Sequence, residues 1–455
     1  MIKQPEMKGQ KTKEQLRQYE EDAKIGIENM SLEDFIKELS LSEIQRILSE
    51  ETTGWIDEYL KTQDSEFESL TEEKKQKERE KLLEEFRNLK TREDLLQKLK
   101  EIGRIDKITN IFGMIYIPED YEIIAVTDVH GDILALDRAI EEFENRKRNN
   151  KKVAFVCLGD FVDRGEYSFE VVKRLFELKR KYSDEVVILK ADHEADCVYP
   201  AEFYEKVNPY PYNNIEKAKA LYDETFLKLP YGIIWSDFLF FHGSLPLFSK
   251  KEFEEFQNQL EQQGKELEEK DYAEFIQERA KLGALIGLKD KSSITETYKF
   301  FETSPLEGAY WDDIKENITY PIWKIEKESP TERKSRRIDW HPQGVALALS
   351  EMGFKCLIRG HQHSPLENKE IAYAVQGTEE NPIITFFTNQ SAYGEGGIYS
   401  IYNSGCFLSL SHIKKDDKPY LVITAHPILS GKQSQVVAEI PSPSAPETSP
   451  EPSSR

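Results

Sequence analysis

The chain has 455 residues, room for two or three folding units and a sizeable core. Acids outnumber bases 84 to 62, a formal charge of −22, which argues against nonspecific binding to nucleic acid or to an anionic membrane surface. No stretch approaches the roughly 20 apolar residues a membrane helix needs, and the first residues, MIKQPEMKGQKTKEQ, are polar where a secretory signal is apolar. Cysteines at 157, 197, 356 and 406 form no C-x-x-C pair and read as thiols of a reducing compartment, so the expected location is cytoplasmic.

From about residue 12 to 110 the chain is rich in Lys and Glu, with apolar residues at helical spacing: Leu82, Phe86 and Leu89, then Leu95, Leu99 and Ile102. Ser31 before Asp34, Ser42 before Gln45 and Thr91 before Asp94 are helix-start signals. Residues 1–110 are therefore expected to form a charged helical N-terminal region, packed on the rest or offered to a protein partner. After Gly113 the pattern turns to short apolar runs, YEIIAVTD, KKVAFVCLGD and DEVVILKAD, alternating with helical stretches; later runs, DFLFFHG, KCLIRGH, PIITFFT and GCFLSLS, crowd together as antiparallel strands do. The expected fold is α/β, a two-sheet β-sandwich flanked by helices over residues 111–430. A charged helical insertion at about 247–309 would cap one edge and shape access to the site, and residues 431–455 would be a disordered Pro/Ser-rich tail.

None of the eight histidines precedes His130, and several stand at the ends of apolar runs. Three runs end in Asp128, His130, Gly131 and Asp132; in Gly159, Asp160, Asp163, Arg164 and Gly165; and in Asp192, His193 and Glu194. Two more end in His242 with Gly243 and in Arg359, Gly360 and His361. A buried strand ending in Asp or His places that side chain at the carboxyl edge of its sheet, where α/β proteins build their sites. Carboxylates and imidazoles suit divalent first-row metals, two of which can sit about 4 Å apart. An arginine fork beside them matches a phosphate bidentately. His341, His412 and His426 read as ordinary core or surface histidines, and His363 as peripheral.

These blocks, DVHGD, GDFVDRG, ADHE, HGS and RGH in that order, resemble the calcineurin-like metallophosphoesterases and, within them, the phosphoprotein phosphatases, whose pattern reads GDxHG, GDxVDRG, GNHE, HGG and RxH. The likeness extends from about Met114 to Ser411 and includes FLKLPYGIIWSDFLFFHGSLP and FFTNQSAYGEGG, the latter similar to the family's SAPNY loop. It implies a phosphomonoesterase for phosphoserine and phosphothreonine in proteins, with two divalent cations (Mn, Fe or Zn) and in-line attack of a hydroxide held on them. Carried over by motif, Asp128, His130 and Asp160 would hold the first metal, and Asp160, Asp192, His242 and His361 the second. Arg164 and Arg359 would grip phosphate, joined by one of Arg333, Arg336 and Arg337, while His193 would protonate the leaving oxygen with Asp163 orienting it. A phosphoprotein would be the partner, with neither nucleic acid nor membrane.

The chain departs from that pattern at Thr127 and Ala191, where the family has Gly, and at Asp192, where it has Asn. The last touches the metal directly, because an anionic ligand lowers the net positive charge that acidifies water and attracts phosphate. The SAY segment leaves Tyr393 as the candidate for the SAPNY tyrosine. Alternatives that remain open are phosphotyrosine or dinucleoside polyphosphate substrates, and a weakened phosphatase fold that binds partners without turnover.

Overall fold

The computed structural model describes residues 37, 40–149, 151–165, 167–194, 225–266, 268–288, 312–314, 323–324, 339–362, 364–366, 370–389, 404–415, 418–428 and 432–441. Strands are numbered in chain order. A seven-stranded sheet runs β1 (Thr109–Ile111), β2 (Met114–Ile117), β6 (Gly232–Trp235), β7 (Phe238–Phe240), β11 (Cys356–Arg359), β13 (Pro382–Phe386), β12 (Tyr373–Gly377). A six-stranded sheet runs β16 (Gln435–Pro441), β15 (Lys418–Pro427), β14 (Cys406–Lys415), β3 (Glu122–Val126), β4 (Val153–Cys157), β5 (Val186–Ile188). A short third sheet holds β8 (Asp313–Ile314), β10 (Asp339–Trp340) and β9 (Trp323–Lys324).

The continuous apolar runs of β3 and β4 make sense because both faces of their sheet are covered. Successive side chains point to opposite faces, so Ile123, Ala125, Ala154 and Val156 join Ile233, Phe240, Ile358 and Ile384 in the core between the sheets. Their neighbours Ile124, Val126, Phe155 and Cys157 instead pack on Leu136, Ala139 and Phe143 and on Val172, Leu175 and Phe176. Those residues belong to the helices Ile133–Arg148 and Ser168–Tyr182, which carry the parallel crossovers from β3 to β4 and from β4 to β5. β14 joins the same sheet antiparallel to β3, as the late crowding of apolar runs led us to expect, but β7, β11 and β13, expected to pair antiparallel, run parallel to one another in the seven-stranded sheet. No described helix is long and apolar enough to cross a membrane.

The outer face of the seven-stranded sheet is covered by N-terminal helices α1 (Leu41–Ser49), α2 (Trp55–Gln63), α3 (Glu72–Arg87) and α4 (Arg92–Glu101), of which α1 turns onto the other layer. Two helices of the insertion, Lys250–Gln262 and Glu269–Arg279, pack there too, in one cluster with Phe86, Leu95, Leu239, Trp340 and Met352. The described part of the insertion is thus a structural layer, stitched to the link between α3 and α4 by Leu282 N–H to Lys90 O at 2.9 Å and Gly283 N–H to Leu89 O at 2.8 Å, and not the edge cap that its charge pattern led us to expect. The tail also begins later than expected. Residues 435–441 form β16, which pairs with β15 and buries Ile440, because the QVVAEI run ahead of the Pro/Ser stretch has the apolar content to hold a strand.

β14 and β15 hold one pH-sensitive contact. His426 bonds Ser409 Oγ through Nε2 at 2.7 Å and Ser434 Oγ through Nδ1 at 2.9 Å, and burial lowers its pKa to about 4. The folded chain keeps this imidazole neutral, whereas the unfolded chain protonates it below its ordinary value near 6.5. Stability is then fully present above that value and falls as pH drops toward 4, by about 3 kcal/mol at most. Urea midpoints at pH 7 and 4.5 should differ less in His426→Phe than in the parent; an equal difference would contradict this assignment.

Candidate metal centre

The site lies where β3, β4, β5, β7 and β11 end. The chain must turn sharply there, and it does so with left-handed backbone at residues that carry a Cβ: φ is 47° at Asp128, 43° at His130, 53° at Asp160, 62° at Asp163, 64° at Arg164 and 66° at His361. Such conformations cost about 1–3 kcal/mol each and gather where function requires a side chain to be re-aimed. Two glycines let the turns approach one another. A Cβ at Gly165 would stand 1.9 Å from His130 O, and one at Gly360 would stand 2.1 Å from Asp128 Oδ2.

Asp160 is at the centre. Its Oδ2 lies 3.4 Å from His130 Nε2 and 3.3 Å from His242 Nε2, and its Oδ1 accepts the His193 N–H at 3.3 Å. Asp192 Oδ1 is 3.1 Å from His242 Nε2 and 3.3 Å from His361 Nδ1. Two cation-sized groups result, Asp160 with Asp192, His242 and His361, and His130 with Asp160 and His193; in each, the candidate ligand atoms all lie within 4.8 Å of one another. Asp128, outside both groups but accepting the His361 N–H through Oδ2 at 3.0 Å, is fully buried with Oδ1 lacking any hydrogen bond; Asp192 Oδ1 and His193 Nε2 are buried in the same condition. Buried polar atoms are almost always bonded, so a converging set of orphaned oxygens and nitrogens fits a divalent cation.

The electrostatics agree. Burial works against charge on Asp160, but His242, His193 and His130 hold it well below the ordinary carboxylate range. Burial likewise opposes a proton on His242, which Asp160 and Asp128 nonetheless hold well above its ordinary pKa. Asp128 is pushed up to about 6, chiefly by burial. Cation binding would therefore release protons as it replaces these contacts.

Supporting contacts fix the candidate ligands. His130 Nδ1 meets Val162 O at 2.9 Å, which leaves Nε2 for the centre. Glu194 accepts the N–H groups of Asp160 at 2.8 Å, Phe161 at 2.9 Å, Val162 at 3.2 Å and Ala191 at 3.1 Å, binding the second turn to the third. His193 Nδ1 lies 3.0 Å from Asp163 Oδ2. Arg164 also reaches the centre, with Nη1 3.3 Å from His130 Nε2.

Arg359 does not present its fork to an open phosphate position. Fully buried, it donates to Gly243 O, to Gln362 Oε1 at 2.7 Å and to Asp312 O at 2.9 Å, so it ties three loops together. A charge buried this deeply requires full hydrogen bonding, and backbone carbonyls supply it. Arg333, Arg336, Arg337, His363 and Tyr393 lie outside the described residues. Of the other histidines, His341 caps the helix Pro342–Glu351 and His412 packs on Trp235, both in ordinary structural roles. Sequence reasoning missed Asp313, whose Oδ1 is 3.7 Å from His361 Nε2, Gln362, whose Oε1 also accepts the Ile314 N–H at 2.8 Å, and Asn389, which donates to Val129 O at 2.8 Å. Among 84 acids, only the apolar flanks of WDDI set Asp313 apart.

Comparison with known proteins agrees with this geometry. The chain is 31% identical over 182 residues to serine/threonine-protein phosphatase T of Trypanosoma brucei brucei, covering 39% of this chain and 38% of that protein. It is 32% identical over 158 residues to serine/threonine-protein phosphatase T of Schizosaccharomyces pombe, 34% of this chain and 32% of that protein. It is 32% identical over 135 residues to the serine/threonine-protein phosphatase 6 catalytic subunit of Caenorhabditis elegans, 28% of this chain and 38% of that protein. The matched region thus spans well under half the length of each of these relatives. Residues 121–365, more than half of the chain and holding all five strand ends, match the calcineurin-like phosphoesterase family, and the chain belongs to that family.

Proposed function

We propose that the chain is a metal-dependent phosphomonoesterase that hydrolyses phosphoserine and phosphothreonine in proteins. The observation that carries this reading is the pair of cation-sized groups sharing Asp160. Asp160, Asp192, His242 and His361 would hold one divalent cation and Asp128, His130 and Asp160 the other, with manganese, iron or zinc suited to such a donor set. When bound, the cations supply Lewis-acid charge toward the phosphoryl oxygens and an acidified water as nucleophile. The names of the relatives favour a phosphoprotein as substrate, and three buried, unpaired cysteines fit a reducing, cytoplasmic setting. Residues 111–430 would form the catalytic unit.

The remaining chemistry falls to the chain's own side chains. Arg164 would neutralise the phosphoryl oxygens beside His130. His193 would carry a proton at Nε2. Burial opposes that proton, but Asp160 and Asp163 raise the pKa to about 9, and Asp163 holds Nδ1 so that Nε2 faces the centre. A serine or threonine oxygen leaves poorly as an alkoxide, and a proton from Nε2 removes that difficulty.

Phosphate release from phosphoserine, phosphothreonine and phosphotyrosine peptides and from a dinucleoside polyphosphate, with and without Mn²⁺, tests this. Metal-dependent turnover of the first two is expected. His193→Ala should lower kcat on phosphoserine about 10²-fold, and far less on p-nitrophenyl phosphate, whose leaving group needs no proton. Preference for the tyrosine peptide or the nucleotide would change the substrate class, and no metal-dependent turnover on any of them would sink the enzyme reading in favour of a binding protein.

A further inference from the structure

We propose that Thr127 is a positioning residue of the metal centre: its hydroxyl ties off one oxygen of Asp128, so that this carboxylate meets a cation through its other oxygen alone. The inference rests on the metallohydrolase reading above and concerns a residue whose counterpart in the family pattern, glycine, has no side chain to do this.

Thr127 follows β3 directly and is fully buried. Its backbone is pinned on both sides by Thr388: Thr127 N–H donates to Thr388 Oγ1 at 3.1 Å, and Thr388 N–H donates to Thr127 O at 3.1 Å. A residue held so firmly has its hydroxyl aimed by the backbone, and that hydroxyl donates to Asp128 Oδ2 at 2.7 Å. The same oxygen accepts the His361 N–H at 3.0 Å. The Gly360 backbone also packs close, since even a single carbon added there would stand 2.1 Å from Asp128 Oδ2 and 2.2 Å from Thr127 Oγ1. Oδ2 thus accepts from two donors, whereas Oδ1 is buried without a hydrogen bond. One oxygen of Asp128 is reserved for structure and the other is left for a cation.

This arrangement has a chemical consequence. Two hydrogen bonds to Oδ2 hold the carboxylate in one orientation, so that Asp128 offers Oδ1 as a preorganised, directional ligand.

Calorimetric titration of the metal-free full chain with Mn²⁺ separates the possibilities. The parent should bind in two steps, one of which, identified by its loss in Asp128→Ala, includes Asp128. Thr127→Ala is expected to weaken that step by about tenfold or more and to leave the other within about twofold, while Thr127→Ser, which keeps the hydroxyl, restores it. Thr127→Val retains the volume without the hydroxyl and should behave as Thr127→Ala does, which keeps the test valid if the smaller side chain unfolds the chain. A merely structural contact of the threonine methyl would be lost in the Ser and Ala variants alike, so equal weakening in both overturns the proposal. Unchanged affinity in Thr127→Ala overturns it as well. Absence of two-step Mn²⁺ binding by the parent overturns the metallohydrolase reading itself, an outcome distinct from either.

Discussion

Asp160→Asn is expected to lower kcat by roughly 10⁴-fold or more, a loss of about 5 kcal/mol of transition-state stabilisation. The reason is topological as much as chemical: Asp160 is the one side chain common to both cation-sized groups, with Oδ2 between His130 Nε2 and His242 Nε2. An amide offers one neutral oxygen where the carboxylate offers two anionic ones, so both cations lose their shared anion and the imidazoles around it lose the charge that orders them. Calorimetry with Mn²⁺ should show both binding steps weakened. Asp192→Asn is the informative contrast, because Asp192 lies in one group only. It should weaken one step, leave the other within about twofold, and bring the site closer to the family pattern. If Asp160→Asn altered a single step as Asp192→Asn does, the shared-ligand geometry would be wrong.

The polar clusters at strand ends were legible because each follows an apolar run long enough to be a buried strand, and a buried strand can deliver Asp or His only at its end. His130, Asp160, Asp192, His242 and His361 meet for that reason, with Asp128 hydrogen-bonded to the His361 N–H, though these residues are spread over more than 230 positions. Arg359 misled because the same rule says where a side chain starts and not which way its long stem turns. Its guanidinium folds back to Gly243 and Asp312, loops whose proximity depends on the packing of β7 against β11 and cannot be read from either segment alone. Asp313 and Gln362 were invisible for the same reason. The insertion misled differently, since helical charge patterns show an exposed face without showing what the other face covers. Phe253, Phe275 and Ile276 cover Trp340 and Met352, residues that follow them by more than 60 positions.

Removing residues 1–103 is expected to leave the remainder unable to fold, since of the two roles open to a charged helical N-terminal region, packing on the rest or binding a partner, the first is the one its side chains take up. The buried side chains of this segment decide the matter. Trp55, Ile56, Phe67, Leu82, Leu83, Phe86, Leu95, Leu99 and Ile102 all belong to the cluster that covers Met114, Tyr116, Ile234 and Leu239 on the outer face of the seven-stranded sheet. At about 1.5–3 kcal/mol for each fully buried apolar side chain, their loss amounts to roughly 14–27 kcal/mol, more than the 5–15 kcal/mol by which a domain is ordinarily stable. Polar ties would go as well. Trp55 Nε1 donates to Asn110 O at 2.8 Å, and Arg92, itself buried, donates to Ser236 O at 2.8 Å and pairs with Asp237 and Glu119. Deleting Arg92 leaves Asp237 buried with Lys355 as its partner at 3.1 Å, and the turn between β6 and β7 loses its brace. Circular dichroism and size-exclusion chromatography of the truncated chain should show loss of cooperative folding or aggregation, together with loss of Mn²⁺ binding. A soluble, cooperatively melting fragment that retained both Mn²⁺ steps would show instead that these helices are an appendage, and would make their exposed charged faces the place to look for a partner.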